Sequence, residues 1–327
     1  MQLKRLMRLA VLALAACAAC SDAEPAWQEV LTGLPGALLR VWGTGPRDVY
    51  AVGADADGSG PLFVHFDGER WQRRSTGTIG DLWWIDRVGD ELRMVGEGGQ
   101  IVRYSSQTFT ATRAPTQATL FGLWGQSPSD VWYVGGQPGG RGVAFRDNGV
   151  KIRAAGTSTS SFFKVHGTAA DQVTLVGGNG SIRQLDGTAW IDRSIDTSAP
   201  LLTVHGQSAG ALYAVGGVGS GVIVRFDGTR WIDETPPGAP GLNGVHAISA
   251  EEAYAAGFNG RIFHRHSGAW AEIAEAVPTF RDLHSIWIDG EGGIWACGGQ
   301  LGSDPPSDGV LVYRGPPIPH GLLVPWN

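Results

Sequence analysis

The chain has 327 residues, of which 50 are glycine and 18 proline, with 43% hydrophobic and 17% charged side chains and a formal net charge of −6. This hydrophobic content excludes a disordered chain, and the glycine and proline content predicts many turns. The acidic balance argues against nucleic acid and anionic lipid as partners, and three cysteines are too few for a disulfide framework.

In chain order, the first segment is MQLKRLMRLAVLALAACAACSDAEP. Lys4, Arg5 and Arg8 precede an apolar run from Leu9 to Ala16 that is too short to span a bilayer and reads as a secretory signal. Its end, Leu14-Ala15-Ala16-Cys17, resembles the lipobox of bacterial lipoproteins. That resemblance implies cleavage before Cys17 and lipidation of its thiol. Cys20 is the competing site, and a plain cleaved signal peptide is the other alternative. Because Ala18 rather than aspartate follows Cys17, the resemblance implies the outer membrane or cell surface, with the periplasmic side also open. Removing the three basic residues of 1–16 leaves 22 basic against 31 acidic side chains, a net of −9.

From residue 27 onward the sequence repeats. With Trp42 as position zero and Gly53 as position +11, one frame fits seven times. Position zero is Trp42, Ile85, Trp124, His166, His205, His246 and Trp287; position +11 is Gly53, Gly96, Gly135, Gly177, Gly216, Gly257 and Gly298. Successive zero positions lie 39 to 43 residues apart. Each unit then carries a hairpin signal, as in FVHFDGERW, IRQLDGTAW and IVRFDGTRW, because Asp-Gly tolerates the positive φ of tight turns. Four short strands per unit of about 40 residues predict the blades of an all-β, seven-bladed propeller. The seventh unit lacks a fourth strand, and Trp27, placed 15 residues before Trp42, has fourth-strand spacing. The ring is therefore expected to close by Trp27 to Val30 pairing with Val310 to Tyr313. The expected organisation is a signal over 1–16, a lipidated tether over 17–26, a propeller over 27–314 and a proline-rich tail over 315–327.

The pattern WG-x4-DV-[WY]-AVG followed by DG-x2-W resembles the repeat of secreted bacterial lipoprotein β-propellers, and is similar more distantly to BNR and photosystem-assembly-factor propellers. The resemblance implies the scaffold and an exported address but no single reaction.

Several residues invite chemistry. His166, His205 and His246 share one template position, but equivalent positions in adjacent blades are expected on the order of 8–12 Å apart, too far for one ion with bonds of about 2.0–2.1 Å. His264 and His266 share a strand face and could ligate a transition metal, against the alternative of a solvated edge. Asp48, Glu91, Asp130 and Glu252 recur at +6 and are expected to accept backbone N–H bonds. Trp83 lies outside the template and is the candidate for an exposed aromatic contact, against the alternative of core packing. Cys297 takes a valine place and is expected to be buried and inert.

The longest connections, GADADGSGPL and GGQLGSDPPSDG, become neighbours when the ring closes. Asp55, Asp57, Asp304 and Asp308 in them form a candidate ligand-binding lip, with Ca²⁺ as a possible ion and no other cofactor expected. The functional expectation is a membrane-anchored binding or assembly module for a protein or glycan of the cell envelope, without catalysis. The alternative is an exported glycosidase, sialidase-like enzyme or lyase; no S-x-D-x-G-x-x-W sialidase box is present.

Overall fold

In the computed structural model, residues 25–137, 140–318 and 324–325 are described. Cys17, Cys20 and Trp326 lie outside them. The strands form seven antiparallel sheets arranged as a ring, and among the described residues the only helical segments are two single turns, Glu97–Gly99 and Phe258–Gly260. Among the described residues, no helix is long and apolar enough to cross a membrane.

The first strand of each blade is innermost, and the first strands of neighbouring blades touch around a central channel. These seven strands are Leu38–Gly45, Leu82–Val88, Thr119–Ser127, Phe162–Ala169, Leu201–Ser208, Leu242–Ala247 and Asp282–Ile288. Closure follows the expectation but is longer than expected. Trp27–Gly36 pairs antiparallel with Ser307–Arg314, running from Trp27 opposite Arg314 to Gly36 opposite Ser307. Two bulges, one of them spanning Gly33 at φ +63°, let the strand continue past Val30. From the tail, Val324–Pro325 adds in parallel to Trp71–Arg73, so blade one carries a fifth strand.

The invariant +11 glycine has a steric cause. At each of the seven, a Cβ would collide with the carbonyl oxygen of the residue that leads into the innermost strand: Ala37, Asp81, Thr119, Ser161, Pro200, Gly241 or Asp282. The same carbonyls accept N–H bonds from the residue after the glycine, for example Ala54 to Ala37 at 3.0 Å and Gly217 to Pro200 at 2.9 Å. The backbone is pulled over a position that has no room for a side chain.

Blades are joined by aromatic wedges. The fourth-strand tryptophan packs edge-to-face on the second-strand aromatic of the preceding blade: Trp71 on Trp295 at 6.2 Å, Trp190 on Trp132 at 5.5 Å and Trp270 on Tyr213 at 5.8 Å between ring centroids. Buried charge ties the interface of blades two and three and reinforces that of blades five and six. Arg93 reaches from blade two to Asp147 and the Tyr133 hydroxyl of blade three, and Arg265 of blade six holds Glu234 at 2.8 Å.

The +6 acids depart from expectation. They accept side-chain donors rather than backbone N–H groups: across the strand pair Asp48 meets His65, Asp130 meets Arg146 and Glu252 meets His264, while Glu91 meets Arg93 of its own strand and Arg103 across the pair. A cationic or imidazole side chain on the third strand lies within reach of each, and a charge-assisted bond is stronger than a neutral turn contact.

Val30, Leu31 and Leu34 of the closing strand are buried in the core shared by blades seven and one. Deleting residues up to Gly36 is expected to cost on the order of 5–10 kcal/mol and expose a free edge. Calorimetry should show loss of the single cooperative melt; an unchanged melting temperature would contradict the closure.

Candidate functional site

The positions that the repeat shares turn out to line the channel. Trp42, Trp124, His166, His205, His246 and Trp287 all face one cavity of about 230 Å³. In blade two the residue at this level is Asp86, not the expected Ile85. Arg93 there pairs with Asp86, whereas its counterpart Tyr50 in blade one pairs with Trp42. The first turn of blade two is one residue shorter, so counting back from the glycine overshoots on the inner strand. Asp86 is the only carboxylate among the described residues lining the cavity.

The three histidines are also closer than expected. Ring centroids of His166 and His205 lie 4.6 Å apart, and those of His205 and His246 4.5 Å. The inner strands converge at this level, so the rings meet instead of standing apart, His166 tilted against His205 and His205 stacked on His246. They do not gather a metal: His166 Nε2 bonds the Gly206 carbonyl at 2.7 Å, and His205 Nδ1 accepts the Ala247 N–H at 3.0 Å. That acceptor role places the His205 proton on Nε2.

Every innermost strand has a bulge three residues before the one that faces the cavity. Pairing skips Leu39, Trp83, Phe121, Phe163, Leu202, Asn243 and His284. Trp83, the candidate for an exposed aromatic contact, belongs to this layer. It is half-buried, edge-on to Phe121 at 5.1 Å and to His284 of blade seven at 5.8 Å. The aromatic layer therefore narrows the channel beneath the cavity.

Between the bulge layer and the histidine level sit two cations that sequence reasoning did not select, Arg40 and Lys164. Arg40 is 6% exposed and Lys164 3%. Arg40 Nη1 donates to Ser285 Oγ at 3.1 Å and weakly to the Ile286 carbonyl at 3.4 Å, while its Nε is buried without a partner. Lys164 Nζ donates to the Phe121 carbonyl at 2.9 Å. Both lie over the Trp84 ring, at 4.0 and 3.5 Å from its centroid. Neither forms an ion pair among the described residues. Burial lowers the Arg40 guanidinium to about 10, with Asp86 opposing, and holds Lys164 well below its ordinary value, with Arg40 adding. Asp86 is pushed up to about 6 by burial, against the pull of Arg40. Burying a cation without a carboxylate partner is costly, and a bound anion would remove much of that cost.

The expected lip assembles only in part. Asp55 accepts the N–H groups of Gly60 and Gly80, and Asp57 is held by Arg73 at 2.6 Å, which lowers its carboxyl to about 2. Asp308 pairs with Arg281. Asp304 and Asp55 do approach Asp81, whose carboxyl is raised by burial first and then by Glu97, Asp55 and Asp304. The four aspartates do not converge on one point, because arginine and backbone donors hold three of them separately. Cys297 is fully buried, and burial pushes its thiol up.

No family model matches the chain, and no curated protein does. Solved structures do. YCF48 from Cyanidioschyzon merolae is 15% identical with a TM-score of 0.66, covering 89% of this chain and 99% of that one. A structure of YCF48 bound to D1 peptide gives the same identity, TM-score and coverage. Virginiamycin B lyase from Staphylococcus aureus is 16% identical with a TM-score of 0.70, covering 89% of this chain and all of that one, 100%. At these identities the likeness is one of fold.

The channel histidines set a pH dependence. Burial lowers His166 to about 4, His246 and His284 to about 3, and His205 well below 6.5. Their contribution to stability is complete above about 6.5, where the unfolded chain is also neutral, and is lost as pH falls towards 3–4. Asp86 acts in the opposite sense, losing its contribution as pH rises through about 6. Four imidazoles outweigh one carboxyl, so the melting temperature should fall from pH 6.5 to 4. His246→Gln should flatten that slope; an unchanged slope would show that these imidazoles are not buried neutral.

Proposed function

We propose that the chain is an exported, lipid-anchored binding propeller whose channel takes a carboxylate end group from a protein or glycan of the cell envelope, without catalysis of its own. The observation that carries the reading is that Arg40, which lines the cavity, and Lys164, buried beside it over the same Trp84 ring, have no ion-pair partner among the described residues. At about 230 Å³ the cavity suits a small acid or the end of a larger ligand, not a polymer strand. A bound carboxylate would accept from Arg40 and Lys164 while its flanks pack on Trp42, Trp124 and Trp287. The lipobox resemblance at Cys17 supports the anchor, and a tether of ten steps to Trp27 reaches at most about 35 Å. The solved complex of YCF48 with D1 peptide supports a protein ligand for a propeller of this architecture.

The glycosidase alternative needs two carboxylates at a set separation. Among the described residues lining the cavity, Asp86 stands alone, which favours binding over that chemistry.

The test is calorimetry of the soluble protein with acetate, succinate, citrate and peptides ending in a free carboxylate. Binding should take up protons, since an anion favours both charged Lys164 and neutral Asp86, and should tighten as pH falls through about 6. Arg40→Gln and Lys164→Met should each weaken it by about ten- to a hundredfold. Lys164→Met should change the melting temperature little without ligand, because removing a buried amine offsets the loss of its bond to the Phe121 carbonyl. Carboxylates that bind equally well to both variants, or not at all, would overturn the reading.

A further inference from the structure

We propose that Glu252, His264 and His266 form a transition-metal site on blade six, separate from the channel. One donor atom from each lies within 4.8 Å of the other two. His264 Nε2 and Glu252 Oε1 are 3.2 Å apart. Two ligands on one tetrahedral ion with bonds of about 2.0–2.1 Å stand roughly 3.3 Å apart, so this pair already has ligand spacing. The His264 ring is held by stacking on Tyr254, 4.1 Å between centroids at 5°. His266 follows two residues later on the same strand face, 5.7 Å away between ring centroids.

Comparison with blade one separates scaffold from site. There His65 bonds Asp48 at 2.8 Å and stacks on Tyr50 at 4.1 Å, so the histidine–carboxylate–tyrosine set belongs to the repeat. Blade one has Asp67 where blade six has His266, and Asp67 is occupied: its Oδ1 accepts the N–H groups of Glu69 and Arg70 across the turn. Asp227 of blade five does the same for Thr229 and Arg230. The blade-six hairpin needs no such cap. Ser267 and Gly268 both have positive φ, +53° and +84°, and close His266 directly against Ala269. The turn residues do the work of the aspartate, which leaves position 266 free for another role.

The neighbouring strand leaves room. His264 and His266 stand opposite Ala271 and Ala269, whereas His65 stands opposite Gln72. His266 is exposed, and the side chains of His264 and Glu252 are 28% and 38% accessible, so an ion can enter from solvent. Two imidazoles and one carboxylate suit Zn²⁺, Ni²⁺, Co²⁺ or Cu²⁺ better than Ca²⁺ or Mg²⁺, and leave a coordination position for water or an external ligand.

The experiment is Co²⁺ and Zn²⁺ titration of the chelator-stripped, untagged protein, reading Co²⁺ visible absorption and Zn²⁺ calorimetry. One equivalent should bind, with a low-coordinate Co²⁺ spectrum displaced by Zn²⁺. His266→Ala, on an exposed side chain, should weaken Zn²⁺ at least about tenfold, and Glu252→Gln should alter the Co²⁺ band. Binding that survives His266→Ala, or a Co²⁺ spectrum of the hexa-aquo ion alone, would overturn the proposal. Because Arg40 and Lys164 take no part, carboxylate binding in the channel should be unaffected by either variant.

Discussion

Seven innermost strands meet around a channel with no further strand to pair with, so each presents backbone groups that its own sheet cannot satisfy. The molecule meets this constraint with side chains from neighbouring blades. Lys164 donates to the Phe121 carbonyl, Thr203 to Asn243, Asn243 to Leu283 and His166 to Gly206, while His205 accepts from Ala247 and His284 bonds the Leu39 carbonyl. Buried backbone groups must be paired somewhere. The repeated bulge follows from the same need, since it turns carbonyls of the inner strand towards the next blade.

The chemistry of the channel is a consequence of this stitching. Polar side chains long enough to reach the next blade are required there, and some carry charge or imidazole nitrogen that one backbone bond does not exhaust. Arg40 keeps an unpartnered Nε, and His246 an unpartnered Nδ1. Residues recruited for closure thereby leave donors pointing into a cavity that can hold a ligand. The chain as a whole carries −6, so an anion reaching Arg40 and Lys164 passes an acidic exterior, and specificity must come from contacts rather than long-range attraction.

Much of the architecture was legible because it rests on steric rules that leave single-residue traces. The +11 glycine records a carbonyl collision in every blade, and the Trp27 spacing records the missing fourth strand. The site was less legible. Arg40 in LLRVWG and Lys164 in FFKVHG look like ordinary outward polar residues of an alternating strand; only ring closure turns that face inward. The usable signal was that the other five blades have tryptophan, glycine, threonine or serine at this position and no charge. Asp86 was hidden by a one-residue difference in turn length. The proximity of the three histidines was hidden because channel radius depends on how strongly the blades converge, which spacing along one chain does not encode. In the lip, Asp57 and Asp308 were read as free ligands because Arg73 and Arg281 lie far from them in sequence.

Anion binding in the channel requires that Arg40 and Lys164 lack an internal counter-ion and hold an external one. The most direct measurement is anomalous diffraction from crystals soaked in bromide. The account predicts a bromide peak inside the channel, within contact distance of Arg40 and Lys164 and lost in Lys164→Met crystals. Bromide confined to the outer surface, with a water chain or a carboxylate side chain neutralising both cations, would contradict it.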